Sequence, residues 1–146
     1  MLNAYLTSAF IIGVLFSIQA PINTVAAKEF GAPFPATVLS IGITLIFSII
    51  LMYLTKTVPS INSIFSLPWW IIFGGLIGVL AVTGGIIIIP ITGVALFFVC
   101  VVAGQLTGSV FLDHVGAFDL SVKKISFTKL FGICLAFSGV LLVSFS

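Results

Sequence analysis

The polar side chains set inside apolar sequence are few enough to weigh one at a time. Gln19 and Asn23 stand four apart, so a helix through them carries both amides on one face. Pro21 lies between them and has no N–H to give, which frees a backbone carbonyl near residue 17. Such a patch can hold a small solute by hydrogen bonding, and it can equally bond a neighbouring helix. A second series, Gln105, Ser109 and Asp113, recurs at the same interval, with Thr107 nearby and Gly104 and Gly108 beside it. Ligand contact and helix packing both remain open for Gln105 and Ser109. Asp113 is followed by His114, the single histidine, and a carboxylate beside an imidazole can couple or gate a path by moving protons near neutrality. The plainer alternatives are a solvated helix end, or pairing among Asp113, Asp119, Lys123 and Lys124 in a loop, which is worth little.

The omissions constrain the chemistry further. No apolar stretch holds a charged residue at its centre, whereas proton-coupled antiport usually relies on a buried carboxylate. Glu29 is the nearest candidate, and Lys28 beside it reads as its surface partner. No nucleophile–base set, metal-ligand cluster or phosphate loop is visible. We therefore expect no enzyme, no cofactor and no metal. Cys100 and Cys134 sit in apolar segments and read as small buried hydrophobes with inert thiols. A net charge of +2 is too small to suggest nucleic acid.

The elements that must position these residues follow from composition. Of 146 residues, 61% are hydrophobic and 5% charged, against about 25% charged in a soluble domain. A mean hydropathy of +1.44 cannot be hidden in a core this small, so the surrounding solvent is lipid. The charges, all lysines, aspartates and one glutamate, bound the apolar stretches 1–27, 30–55, 57–112 and 130–146. With about 20 residues needed per crossing, these hold five transmembrane helices, placed at 2–27, 35–55, 68–89, 92–112 and 126–145. The fold class is an all-α membrane protein, with residues 1–146 as one transmembrane domain. Pro90 and Gly93 read as a tight turn after the third span, and Trp69 and Trp70 as an interfacial anchor at its start. No lysine or arginine precedes the first apolar run, which reads as a true span, not a cleaved signal.

Five crossings put the termini on opposite sides. The side of the N-terminus receives Lys56, Lys123, Lys124 and Lys129, and the other receives Lys28, which places the N-terminus in the cytoplasm. Gly74 and Gly78 in the third span, and Gly104 and Gly108 in the fourth, have the four-residue spacing that lets helix backbones approach in lipid.

Ala103-Gly104-Gln105, Ser109 and Asp113-His114-Val115-Gly116 resemble the fourth-helix signature of a bacterial family. So do the stretch from Gln19 to Asn23, Gly74 to Gly78, and Gly132 with Gly139-Val140-Leu141-Leu142 in the last span. That family is the five-helix YdcZ-like group of the drug/metabolite transporter superfamily, and the resemblance covers essentially the whole chain. It implies a single repeat, equivalent to one half of ten-helix transporters built from inverted repeats. It also implies pairing, often antiparallel, as in the small multidrug resistance exporters. The first-helix glutamate of those exporters is missing here, so proton–drug exchange of their kind is not implied.

The expectation is an inner-membrane transporter of a small organic metabolite or drug, working as a dimer by alternating access. Gln19, Asn23, Gln105 and Ser109 would contact substrate. The partner is a second copy, antiparallel or parallel, or a homologous chain. The four-to-one lysine bias argues for one orientation, while dual topology stays open. The alternative is a non-transporting accessory subunit that docks through its glycine faces.

Overall fold

The computed structural model describes the backbone of residues 2–145 and the side chains of 5–118 and 120–145. The described residues form helices α1 (Leu2–Phe30), α2 (Pro33–Leu54), α3 (Ile61–Phe65), α4 (Ile72–Thr92), α5 (Val94–Val115) and α6 (Phe127–Ser144), and no strand. All but the short α3 are long and apolar enough to cross a membrane, so this is an all-α membrane protein with five candidate spans. The chain divides into two compact units, Met1–Ile91 and Thr92–Ser146.

In the first unit α1 and α2 form a helical hairpin joined by Gly31 and Ala32. Gly31 takes φ +69° and its N–H donates to the Lys28 carbonyl at 3.2 Å, while the Ala32 N–H donates to the Ala27 carbonyl at 3.1 Å. This Schellman arrangement satisfies two carbonyls that the end of α1 would leave bare. The start of α2 handles its donors differently. Pro33 and Pro35 occupy its first turn and have no N–H to satisfy. The end of α2 repeats the Schellman closure, with Lys56 N–H to the Tyr53 carbonyl and Thr57 N–H to the Met52 carbonyl. Here the left-handed position, φ +56°, is held by Lys56 and not by glycine. A buried hydrogen bond of 2.9 Å joins Thr37 of α2 to Thr83 of α4. The Thr37 hydroxyl also donates to the Pro33 carbonyl at 3.1 Å, which uses its one proton and makes Thr83 the donor between helices.

The polar connection after α2 contains α3, where the Ser60 hydroxyl caps the Ser63 N–H. A 3-10 turn, Trp69–Ile71, leads into α4, with Trp69 edge-on to Phe73 at 5.7 Å. Pro90 does not form the expected turn. It sits within α4, which runs on to Thr92, and the break comes at Gly93 with φ +77°. Proline costs a helix one hydrogen bond but already has helical φ, so the left-handed glycine is the stronger stop.

In the second unit α5 and α6 pack together. α5 runs past the expected end at 112, so Asp113 and His114 belong to its last turn. Gly116 closes it at φ +63°, its N–H donating to the Leu112 carbonyl. Ser126 caps α6 by accepting from the Lys129 N–H at 3.2 Å. α1 likewise runs beyond its expected end at 27 to include Lys28 and Glu29.

Cys100 and Cys134 are exposed, contrary to the buried setting expected for them. An apolar residue is driven inward only when the exterior is water, and in a lipid-facing chain apolarity carries no such information.

A Cβ at Gly116 would stand 2.7 Å from Val122 Cγ2 and 3.2 Å from the Leu120 carbonyl, on a backbone that side chains disfavour. Gly116→Ala is expected to destabilise by more than about 1 kcal/mol. Lys56→Gly, where the same backbone conformation is strained by a side chain, should stabilise by up to about 1 kcal/mol. Thermal unfolding of the two variants in detergent checks both signs.

Candidate functional site

Several hydroxyls within the spans behave differently from the amides. Thr24 donates to the Ala20 carbonyl at 3.2 Å and Ser17 to the Val14 carbonyl at 2.7 Å on α1. On α5, Thr107 donates to the Ala103 carbonyl at 2.8 Å and Ser109 to the Leu106 carbonyl at 2.9 Å. A short hydroxyl reaches the carbonyl three or four residues back, so each of these residues satisfies its proton within its own helix. The proton of Ser109 is thereby committed, and only its lone pairs remain for a ligand.

Gln19, Asn23 and Gln105 have no side-chain hydrogen bond to any described residue. Gln19 and Gln105 are exposed and Asn23 is half-buried. Gln19 and Asn23 share the face expected of them, since α1 stays helical through Pro21. An amide offers two donors and an acceptor, and leaving these bare in hydrocarbon is costly. Within its own unit, none of these three side chains finds a hydrogen-bond partner among the described residues.

One turn beyond Asn23, a cavity of about 300 Å³ opens where the end of α1, the start of α2 and the end of α4 meet. Thr24, Lys28, Pro33, Ile86, Ile87 and Pro90 line it. Nothing in the sequence marked these residues as a group, because they come together only when the hairpin closes. Lys28 makes no ion pair with Glu29, its neighbour in sequence. Adjacent helical residues point about 100° apart.

At the end of α5, Asp113 makes a contact that the spacing did not reveal. Its Oδ2 accepts from Lys129 Nζ at 3.1 Å, and its backbone carbonyl accepts from the Lys123 N–H at 2.8 Å. The carboxylate thus pairs with the first turn of α6 and not with the loop lysines; the Asp119 side chain lies outside the described residues. His114 is exposed and has no hydrogen bond to Asp113. The pair is adjacent in sequence but not in space, again through helical geometry.

The glycine faces are open. A Cβ added at Gly74, Gly78, Gly104 or Gly108 would meet nothing within 4 Å. The close packing their spacing suggested has no counterpart among the described residues within either unit.

A family model described as "Putative inner membrane exporter, YdcZ" matches residues 4–142. No curated protein and no solved structure matches the chain.

The Asp113 and Lys129 side chains are about a third exposed, at 33% and 29%, so the pair contributes modestly. A double-mutant cycle with Asp113→Asn and Lys129→Gln should give a coupling of about 1 kcal/mol or less, shrinking as salt is added. A coupling that salt does not change would mean that the tie is not electrostatic.

Proposed function

From the premise that the chain belongs to the YdcZ family of the drug/metabolite transporter superfamily, we propose that it carries a small organic metabolite or drug across the inner membrane, outward, as a dimer working by alternating access. Membership points to a membrane transporter and away from an enzyme. The observation that carries the finer reading is the unpartnered amides. Gln19 and Asn23 on α1, and Gln105 on α5, are polar groups within spans that the chain does not satisfy, as expected of side chains that face a watered path and its solute. Ser109 offers acceptor lone pairs on the same helix as Gln105. Asp113 and His114, in the last turn of α5, would control access at that end. With no acidic residue at any span centre, a cationic solute and direct proton coupling through a buried carboxylate are both disfavoured.

Pairing is supported by how little the chain buries of itself. In each span the most apolar stretch is between 0% and 17% buried. The open faces at Gly74, Gly78, Gly104 and Gly108 are what a second copy would cover. The lysine distribution supports a cytoplasmic N-terminus. The same open faces suit docking to an unrelated subunit, and flux by the purified chain separates the two readings.

Reconstituted in proteoliposomes, the chain is expected to move at least one solute from a panel of metabolites and drugs. Asn23→Ala and Gln105→Ala should each lower that flux by about tenfold or more, the loss expected for one buried hydrogen bond. Absence of flux across a broad panel, or flux untouched by both variants, overturns the reading. Gly104→Ala and Gly108→Ala add a Cβ that meets no described atom within 4 Å, so they should leave helix content intact while weakening crosslinking between copies. Equal crosslinking in these variants would remove that face from the dimer.

A further inference from the structure

We propose that the cavity at the Lys28 end of α1 binds an anionic amphiphile, a singly charged carboxylate or phosphate group on an apolar body. All but one of the donors in its wall are already spent or missing. The Gly31 and Ala32 N–H groups are spent on the Lys28 and Ala27 carbonyls. The Thr24 hydroxyl is spent on the Ala20 carbonyl. Pro33 and Pro90 have no N–H at all. Ile86 and Ile87 contribute apolar surface, and Ile86 is buried. The Lys28 ammonium is the donor left over, and among the described residues no carboxylate pairs with it.

A ligand that fits this wall presents one acceptor group to Lys28 and hydrocarbon everywhere else. An anion is favoured over a neutral acceptor because charge-assisted hydrogen bonds are about twice as strong. A cation is disfavoured, since no acidic group lines the cavity. The volume, about 300 Å³, equals that of roughly ten water molecules and lies at the lower end for small-molecule sites. The inference concerns binding alone and holds whether or not the chain transports.

The test uses the full chain in nanodiscs of zwitterionic phosphatidylcholine, with radiolabelled octanoate as probe. Octanoate is expected to bind saturably, and octylammonium and octanol much more weakly. Lys28→Gln should weaken octanoate by about tenfold and Lys28→Arg should largely restore it. Lys56→Gln, which removes the same charge elsewhere, should change nothing. A parallel arm adds phosphatidylglycerol and reads the lipid retained, by native mass spectrometry. If phosphatidylglycerol displaces octanoate from the wild type, and Lys28→Gln retains less of it, the anion comes from the bilayer. If octanoate binds and the lipid does not displace it, the anion is a soluble solute. Either result supports the site. Equal binding of octylammonium, or binding of both anions unchanged by Lys28→Gln, overturns it.

Discussion

A hydrogen-bonding group in hydrocarbon has no water to fall back on, and the rest of this structure follows from that shortage. Helices satisfy their own interiors, so the pressure falls on their ends. At Gly31–Ala32 and at Lys56–Thr57 the turn folds back to satisfy the last carbonyls. At the start of α2 the excess donors are removed by placing proline there. Inside the spans, Ser17, Thr24, Thr107 and Ser109 spend their protons on their own helix, and Thr83 spends one on Thr37 to tie α4 to α2. At Lys56 the closure is kept although a side chain must take a glycine-like backbone. The turn is evidently worth the strain.

Against this economy the three amides stand out. Gln19, Asn23 and Gln105 have side chains that no neighbour answers, in a chain that settles every threonine of its spans described above. The contrast is chemical. A hydroxyl has one proton and a short reach, so its own helix can serve it, whereas a primary amide carries more groups than one helix has free. A transporter reading and a pairing reading both grow from this point, because water, solute and a second chain are the available ways to meet the demand.

Much of the architecture was legible because charge is so scarce. Eight charged residues bracket four apolar runs, which hold five spans, and the helices follow those brackets to within a few residues. The family was legible from the Gly-Gln and Asp-His motifs, and the match across 4–142 agrees. Three features were not legible, each for a physical reason. Pro90 reads as a terminator by composition, but only the left-handed φ of Gly93 ends the helix. Asp113 has four lysines or aspartates near it in sequence, and which one it meets depends on how α6 is capped. The cavity at Lys28 is assembled from three helices and leaves no periodic trace. The glycine spacing signals close approach, but among the described residues nothing lies within 4 Å of a Cβ built at Gly74, Gly78, Gly104 or Gly108.

The connection between α1 and α2 bears on how these two helices can move in the bilayer. From Phe30 to Pro33 the two linking residues make three Cα–Cα steps and reach about 11 Å at most, little more than the 8–10 Å that separates the axes of packed helices. A link this short leaves little slack for the two helices to part. Whatever face of the bilayer receives the bend also receives Lys28 and Glu29, the last two charges of α1, together. Tilting or sliding one helix of this hairpin therefore drags the other with it.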